Sequence, residues 1–384
     1  MRATQIACSA WPLGHADYYR GVNVTIVGAG IVGYAVAYEL ASRGASILIV
    51  DPRGVGLGAT HATAGVLAPY IEGHSEQFLE IGVSGLACYD GFVERVRSDS
   101  GHTVEYRRNG TLQVARTSLE AAALEETARR LAASNIAHSL LDAQSVRSVE
   151  PALAGEVSAG LLVPEHGYVV ANELISALAE AVQRTGGTRS LGAVHRIEQI
   201  AGGLRVTTSN EAFVTDAVVI AAGSWSGSIA SPPPPAPVRP IRGQLLQVRF
   251  PQPPISRVVW GSACYLVPWN DGSVLVGATV EDVGFDERST AGGISHLLAS
   301  AVDLLPALAS ANFEDVRVGL RPLTSDELPV IGASSTMRGV YYATGHYRNG
   351  VLLAPLTALG IADLLLDGRA RPELAHVTPG RLGL

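Results

Sequence analysis

A glycine cluster near the start of this 384-residue chain constrains the fold more than any other feature. The run Gly28-Ala29-Gly30-Ile31-Val32-Gly33 follows the short apolar segment Val22–Val27 and opens Ile31–Ser42, whose spacing is helical. A second apolar run, Ser46–Val50, ends on Asp51. This order predicts a strand, a tight glycine turn, a helix and a second strand, which together form a βαβ unit with a parallel sheet.

Each glycine of this cluster has its own physical role. Gly28 permits the turn, Gly30 lets the backbone approach a pyrophosphate, and Gly33 lets helix and strand pack closely. The helix N-terminus offers backbone amides to negative charge, and the Asp51 carboxylate can accept hydrogen bonds from ribose hydroxyls. The pattern predicts dinucleotide binding, and the alternative is a purely structural glycine turn.

NAD and FAD share this fingerprint, but three further features favour FAD. Gly56–Gly65 is a second run of small residues, Thr215–Gly223 ends a strand in a small-residue turn, and Gly345–Gly350 precedes the last predicted helix. A long flat cofactor needs close backbone approach at several points. A second helix N-terminus would also stabilise an anionic reduced flavin.

Composition excludes several classes of function. The net charge of -7, with 28 basic and 35 acidic residues, leaves no basic surplus for binding nucleic acid. Every basic residue is Arg, so a Schiff-base lysine and a P-loop lysine are excluded. The 3 cysteines, Cys8, Cys88 and Cys264, are too few and too scattered for a disulfide framework or a metal site. Because no long apolar run occurs, we expect a cytoplasmic protein with no membrane partner.

The remaining pattern divides the chain into two interleaved domains. Helical spacing predicts helices over Phe78–Arg97 and Val351–Leu366, Asn270–Gly272 indicates a hairpin turn, and the proline run Ser231–Pro237 predicts a stiff linker. The predicted domains are a discontinuous dinucleotide-binding domain of residues 22–75, 165–232 and 315–384, a substrate domain of residues 76–164 and 233–314 with a mixed or antiparallel sheet, and an N-terminal tail over 1–21.

Several motifs, in this order, resemble the glycine oxidase branch of the D-amino-acid oxidase-like flavoproteins. They are GAGIVG with Asp51, ATAGVL, VVIAAGSWS, CYLVP, GAT, GLRP and GHYRNGVLLAP. The resemblance implies an α/β fold with a Rossmann-like FAD-binding domain, non-covalent FAD, and an oxidase of glycine or an N-substituted glycine. It implies hydride transfer from the α carbon to flavin N5, hydrolysis of the imine to glyoxylate and an amine, and reduction of O2 to H2O2.

Oxidation of an amino acid by a flavin requires a firm grip on the substrate carboxylate. Arg321 in GLRP is predicted to bind both carboxylate oxygens, and Tyr265 in CYLVP to add a hydroxyl donor. The resemblance places Arg348 near flavin and substrate. The alternatives are a surface ion pair of Arg321 with Asp326 or Glu327, a core role for Tyr265, and a loop-capping role for Arg348.

The fingerprint and the resemblance together assign eighteen residues to cofactor binding. They are Gly28, Gly30, Ile31, Gly33, Asp51, Pro52, Thr60, Ala64, Gly65, Val66, Val194, Gly223, His346, Tyr347, Asn349, Gly350, Val351 and Leu352. Val194 is expected at the adenine, and His346 is interpreted as a structural group rather than a general base. A covalent flavin link through His61 is the alternative to non-covalent binding.

Two positions depart from the glycine oxidase pattern. Val280 stands where a Met is common, and Ala263 stands where a His is found. The smaller side chains predict a wider pocket and a larger N-carboxymethyl amine as substrate. The expected partners are this small molecule and O2. The sequence leaves open whether the chain forms a homo-oligomer. The alternative functions are a D-amino-acid oxidase or dehydrogenase, a sarcosine oxidase, and a non-catalytic flavin-binding module.

Overall fold

A computed structural model describes residues 21–71, 75–230 and 235–384. Within these residues the helices are α1 (Ile31–Ser42), α2 (Glu76–Ala87), α3 (Tyr89–Ser100), α4 (Ser118–Ala133), α5 (Ala143–Val149), α6 (Ala171–Arg184), α7 (Ala291–Leu304) and α8 (Gly350–Asp367). The strands are β1 (Asn23–Val27), β2 (Ser46–Asp51), β3 (Val66–Leu67), β4 (Tyr106–Arg107), β5 (Thr111–Ala115), β6 (Ser139–Asp142), β7 (Ala159–Val163), β8 (Gly167–Val169), β9 (Thr188–Leu191), β10 (Val194–Ile200), β11 (Gly203–Thr208), β12 (Ala212–Thr215), β13 (Ala217–Ile220), β14 (Arg239–Arg249), β15 (Val258–Trp260), β16 (Tyr265–Pro268), β17 (Ser273–Gly277), β18 (Asn312–Leu323), β19 (Val330–Ala333) and β20 (Val340–Thr344). The predicted N-terminal tail before Gly21 and residues 231–234 of the proline linker lie outside the described residues.

The first layer is a six-stranded sheet with the strand order β19-β20-β13-β1-β2-β9. All neighbours pair in parallel except β19, which runs antiparallel to β20. Helices α1, α6 and α8 pack on one face, and the small sheet β10-β11-β12 covers the other. Because both faces are covered, β1 and β13 are almost continuously apolar and buried. The predicted βαβ unit, formed by β1, α1 and β2, is confirmed.

Helix α8 is the longest helix of the described part and lies within this layer. It is apolar enough and, at 18 residues, long enough to cross a membrane by composition and length, but 67% of it is buried inside the protein. It packs against α1 and α2. Its burial explains why it is hydrophobic all round, as a core helix is.

The second layer is an eight-stranded sheet with the order β18-β14-β17-β16-β15-β5-β7-β6. Most neighbours pair antiparallel, and β15 pairs with β5 in parallel. Alternate side chains of β14 lie on opposite faces of the sheet. Leu246 packs with Leu297 of α7, whereas Leu245 packs on the other face with Tyr168. The mixed sheet expected for the second part of the chain is present, and the α/β fold class is confirmed.

Three differences from the sequence prediction have clear physical causes. The segment Phe78–Arg97 forms two helices instead of one, because the chain turns at Cys88 between α2 and α3. The sequence did not predict β18, because its first four residues are exposed and three of them are polar; it is held by pairing with β14. The domain boundary predicted at 314/315 therefore falls inside one continuous strand.

Candidate functional site

A cavity of about 550 Å³, called here the central cavity, lies between the two layers. One side is formed by the carboxyl ends of β1, β2, β13 and β20, and the other by the open face of the second sheet. The predicted site residues that line it are Gly28, Gly30, Ile31, Asp51, Pro52, Thr60, Ala64, Val66, Val194, Gly223, Tyr265, Arg321, His346, Tyr347, Arg348, Asn349, Gly350 and Val351. The fold thus gathers the dinucleotide fingerprint and the predicted carboxylate grip around one space.

The glycine turn after β1 has the geometry that its sequence predicts. Gly28 has φ +115°, a left-handed conformation that favours glycine, and a Cβ there would overlap the carbonyl of Ala221. A Cβ on Gly33 would overlap the carbonyl of Gly28, so this glycine serves close packing and does not line the cavity. The turn brings bare backbone to the cavity wall, as a pyrophosphate requires.

The first turn of α1 is partly satisfied from within the protein. The amide of Ile31 donates to Oγ1 of Thr60, over 3.0 Å. Thr60 is buried, and its hydroxyl oxygen occupies this one amide of the helix N-terminus. Because its own amide is occupied, Ile31 would contact a bound ligand through its side chain and through the neighbouring amides. Thr60 fixes its own loop against the N-terminus of α1.

Asp51 is held in a fixed orientation by backbone amides. Its Oδ2 accepts from the amide of Ala29, and its Oδ1 accepts from the amides of Arg53 and Gly54. A carboxylate has about four acceptor positions. Three are used, so Oδ2 keeps one acceptor position, consistent with the predicted role toward a ribose hydroxyl.

On the wall that the second sheet forms, two side chains lie across strand glycines. The Arg321 guanidinium covers Gly243, where a Cβ would stand 2.5 Å from Nη1, and the Tyr265 ring covers Gly277 in the same way. Nη1 of Arg321 donates to the carbonyls of Thr279, at 2.9 Å, and Arg242, at 3.3 Å. The glycines leave the room that both side chains need on the cavity face of the sheet. Asp326, named as an alternative partner of Arg321, instead pairs with Arg381.

Trp260 also lines the cavity, and the sequence did not single it out. Its ring lies 4.7 Å from that of Tyr265, at an interplanar angle of 35°. The contact arises because Trp260 and Tyr265 are paired in register across β15 and β16. The pair forms an aromatic wall beside Arg321. Only the strand register, which depends on long-range pairing, reveals it.

The loop before α8 forms the wall opposite this pair. His346 is buried, its Nε2 is hydrogen-bonded to Oγ1 of Thr357 at 3.0 Å, and burial lowers the pKa of His346 to about 3. The imidazole is therefore neutral at physiological pH, which supports the structural interpretation. The Arg348 guanidinium lies over the Tyr347 ring, 4.9 Å from its centroid, so a cation–π contact orients it.

Five predicted residues do not line the central cavity: Gly33, Gly65, Leu352, Ala263 and Val280. Gly65, at φ +71°, is packed on the carbonyl of Val169, and Leu352 is buried in the helical core. Ala263 and Val280 are exposed, and 59% of the surface of Val280 is accessible. The wider pocket inferred from these two positions has no counterpart in the lining.

A second group of contacts, which the sequence analysis did not assign to the site, closes the cavity edge near Asp51. Arg53 lines the cavity, lies 4.1 Å over the ring of Trp225, and forms a double ion pair with Glu287 at 2.8 Å. Trp225 packs against the exposed Phe285, with ring centroids 5.6 Å apart. The place of Trp225 in the GSWS motif could have indicated its role, whereas no feature of the sequence pointed to Glu287.

The residues present fit an elongated dinucleotide. The N-termini of α1 and α8 both abut the cavity, bare backbone lines it at Gly28 and Gly30, and Asp51 offers a carboxylate oxygen. The volume falls within the range usual for ligand sites, roughly 300 to 1,000 Å³. His61, considered for a covalent link, is not among the lining residues, and its Nδ1 lies 2.6 Å from the carbonyl of Gly58. In the described part of the chain, no group of three or more His, Cys, Asp or Glu residues could hold a metal ion.

Comparisons with known proteins agree with this geometry. Residues 23–364 match the model of the DAO family, described as FAD dependent oxidoreductase. The glycine oxidase of Geobacillus kaustophilus is 33% identical over 348 residues, covering 89% of this chain and 92% of that protein. The bifunctional protein ThiO/ThiG of Synechocystis sp. is 36% identical over 372 residues, which cover 94% of this chain. This chain spans about half (54%) of the length of that protein.

Solved structures show the same likeness. The crystal structure of the Geobacillus kaustophilus glycine oxidase superposes with a TM-score of 0.88 at 31% identity, covering 92% of this chain and 97% of that one. The iminodiacetate oxidase of Chelativorans sp. superposes with a TM-score of 0.85 at 26% identity, covering 93% and 98%. The resemblance seen in the sequence motifs is confirmed.

Proposed function

The chain belongs to the DAO family of FAD dependent oxidoreductases, and from this premise we propose that it oxidises glycine or an N-substituted glycine. The observation that carries the proposal is the shared cavity: the dinucleotide fingerprint and the pair Arg321 and Tyr265 line the same space. A protein that only bound a flavin would have no need of a guanidinium and a phenol on the facing wall.

The proposed role of Arg321 is to hold the substrate carboxylate. Its guanidinium is fixed at one edge by the carbonyls of Thr279 and Arg242, which leaves its planar fork oriented on the cavity face. Tyr265 adds a hydroxyl donor from the neighbouring strand. Two donors of fixed direction would set the position of the α carbon, and such positioning accounts for much of the rate that an enzyme supplies.

FAD, when bound, supplies the hydride acceptor and passes the two electrons on to O2. The chain itself has little acid or base chemistry to perform, because the amine reacts in its neutral form. His346 fits this view, since its low pKa and its bond to Thr357 keep it from exchanging a proton near neutral pH. Trp260 and Tyr265 would exclude water from the reacting carbon.

The proposed overall reaction converts a glycine unit R–NH–CH2–COO⁻, with O2 and water, into R–NH2, glyoxylate and H2O2. The likeness to an iminodiacetate oxidase supports a substrate with a substituent on nitrogen, because iminodiacetate is itself an N-substituted glycine. Ala263 and Val280 are exposed outside the cavity lining, so they give no support for a longer substituent, and the substrate panel measures the length that is accepted.

A panel of glycine, sarcosine, iminodiacetate, D-alanine, D-proline and long-chain N-carboxymethyl amines tests the proposal. We expect anaerobic bleaching of the flavin, and H2O2 in air, with at least one glycine-type substrate. Bleaching without H2O2, with turnover by an artificial acceptor, would identify a dehydrogenase. Faster reaction with D-alanine than with any glycine would favour a D-amino-acid oxidase, and no bleaching at all would identify a non-catalytic flavin-binding module.

A further inference from the structure

Gln244 occupies an unusual place directly behind the proposed carboxylate grip. It lies on β14 next to Gly243 but faces α7, away from the central cavity, and its side chain is fully buried (0% accessible). Nε2 donates to Glu281 Oε1 at 2.7 Å and to Thr290 Oγ1 at 2.9 Å, and Oε1 accepts from the Thr290 amide at 2.8 Å. One side chain thus joins both ends of the loop that connects β17 to α7.

The same residue fixes Thr279, whose carbonyl holds Arg321. The backbone amide of Gln244 donates to Thr279 Oγ1 at 2.9 Å, and the backbone amide of Thr279 donates to the backbone carbonyl of Gln244 at 3.2 Å. Thr279 Oγ1 in turn donates to Glu281 Oε1, the oxygen that also accepts from the Gln244 side chain. The Thr279 carbonyl then accepts from Arg321 Nη1 at 2.9 Å.

We propose that Gln244 is a positioning residue that sets the orientation of Arg321 through Thr279. This inference rests on the proposed function, because it takes Arg321 as the group that binds the substrate acid. Gln244 never touches the cavity; it acts by holding the backbone that receives one edge of the guanidinium. Loss of its side chain would leave the two backbone bonds to Thr279 in place but remove the donor to Glu281 Oε1, the oxygen that also accepts from Thr279 Oγ1. Glu281 could then shift, Thr279 would shift with it, and the guanidinium would tilt.

Gly293 in the first turn of α7 provides a selective way to disturb Gln244. A Cβ on Gly293 would lie 2.7 Å from Cδ of Gln244, whereas a Cβ on the adjacent Gly292 would meet no atom within 4 Å. Both glycines are in the same helix turn, where Ala is the better helix former. Gly292→Ala is therefore the matched control for Gly293→Ala.

The first measurement is the binding of acetate to each FAD-loaded variant, followed as a saturable change in flavin absorbance that needs no turnover. We expect Gly293→Ala to weaken acetate binding by about tenfold, the effect of roughly one lost or misaligned hydrogen bond. Gly292→Ala should bind as the wild type does. Equal affinities for the two variants would overturn the inference, and so would a wild type that does not bind acetate.

A second variant, Gln244→Glu, gives a signature that a merely structural role would not produce. Its carboxylate would face Glu281, which is paired with Arg242, itself in contact with Asp286. When protonated, Glu can still donate to Glu281; when ionised, it repels it. We expect the ratio of variant to wild-type KM to approach one at low pH and to rise with pH. A flat ratio would contradict the proposed role of Gln244.

The two proposals fail in different ways. If the wild type binds acetate but no amine or amino acid bleaches the flavin, the oxidase function is wrong and the acetate data still test Gln244. If glycine-type substrates bleach the wild type and Gly293→Ala matches Gly292→Ala in both assays, the function stands and the role of Gln244 is wrong.

Discussion

The phenol ring of Tyr265 lies across the backbone of Gly277, so closely that a Cβ on the glycine would stand 2.5 Å from Cε2 of the ring. The two residues are paired across β16 and β17. We predict that Gly277→Ala forces the phenol off the sheet and raises KM for the amino acid roughly tenfold, as expected for one hydrogen bond to a carboxylate.

Steady-state kinetics and flavin content measure this effect together. Gly155→Ala serves as the control, because a Cβ there meets no atom within 4 Å. An unchanged KM in Gly277→Ala, at wild-type flavin content, would show that Tyr265 does not bind the substrate acid.

Arg321→Lys tests the planar grip directly. Lysine keeps the charge but offers no fork, so we expect kcat/KM to fall by roughly a hundredfold with flavin content unchanged. Arg317→Lys is the control on the same strand, since Arg317 contacts Gln247 and lies outside the lining of the cavity. Similar losses in both variants would point to damage of β18 rather than to loss of carboxylate binding.

The buried carboxylate of Asp363 predicts a stability effect far from the cavity. It is 1% accessible and pairs with Arg43, Arg371 and Arg369 at 2.8 to 3.1 Å. Burial alone would raise its pKa, but these three arginines outweigh burial and lower it. We expect Asp363→Asn to cost about 3 kcal/mol of unfolding free energy, because it breaks a buried ion pair: the buried Arg43 keeps Glu39 but loses Asp363, and Arg371 and Arg369 lose the same carboxylate.

Chemical denaturation of the FAD-loaded protein checks this prediction. The lowered pKa means that the stabilisation is complete above the unfolded-state pKa, about 3.9, and is lost as the pH falls below it. Asp367→Asn, in a group 20% accessible and 3.7 Å from Arg43, should cost less than about 1 kcal/mol. Equal losses in the two variants would contradict a special role for the buried pair.

The buried imidazole of His166 predicts that acid lowers the stability of the protein at a higher pH than Asp363 does. It is fully buried, its Nδ1 is hydrogen-bonded to Thr111 at 2.7 Å, and burial lowers its pKa to about 3, against about 6.5 in an unfolded chain. Between these values only the unfolded state binds the proton. Stability is therefore complete above about pH 6.5 and falls as the pH falls toward 3.

Melting temperatures between pH 7 and pH 4.5 test this sign. We expect a shallower decline in His166→Asn, whose amide can keep the bond to Thr111, and no change of slope in His102→Asn, because His102 is exposed. A wild-type slope in His166→Asn would show that His166 is not the group responsible.

We also predict that FAD is bound without a covalent link. His61 is turned to the Gly58 carbonyl, and Cys88 and Cys264 are buried outside the cavity lining. Burial raises the pKa of Cys264 to about 12, which keeps its thiol protonated near neutral pH. Acid precipitation should leave all yellow colour in the supernatant; colour retained in the pellet would contradict the prediction.

The sequence was sufficient wherever a local pattern determines the structure. The glycine turn with Ile31–Ser42, the Asn270–Gly272 hairpin and the last helix all appear within a residue or two of their predicted places. Local spacing sets these elements because turn chemistry and helical periodicity act between near neighbours.

What the sequence could not supply depends on contacts between distant segments. Trp260 enters the site through its register with Tyr265, and β18 exists because β14 lies beside it. The motif gave the residue type at position 280 but not what surrounds it. Val280 follows β17 on a loop that turns to the surface. A motif gives the residue type at a position, whereas its neighbours follow from strand pairing.

The hydrogen bond between β18 and the loop before α8 limits where the chain can be joined to a foreign sequence in protein design. Pro322, the residue after Arg321, accepts a hydrogen bond from the Tyr347 amide at 2.9 Å, so the two walls of the cavity are joined at this point. A chimera that grafts a foreign eight-stranded sheet onto this scaffold would have to carry β18 whole and leave β9 and β13 with the six-stranded sheet. The junction after β18 then falls between Arg321 and Tyr347, so the new sequence would have to preserve the hydrogen bond from Tyr347 to Pro322 that joins the two walls of the cavity.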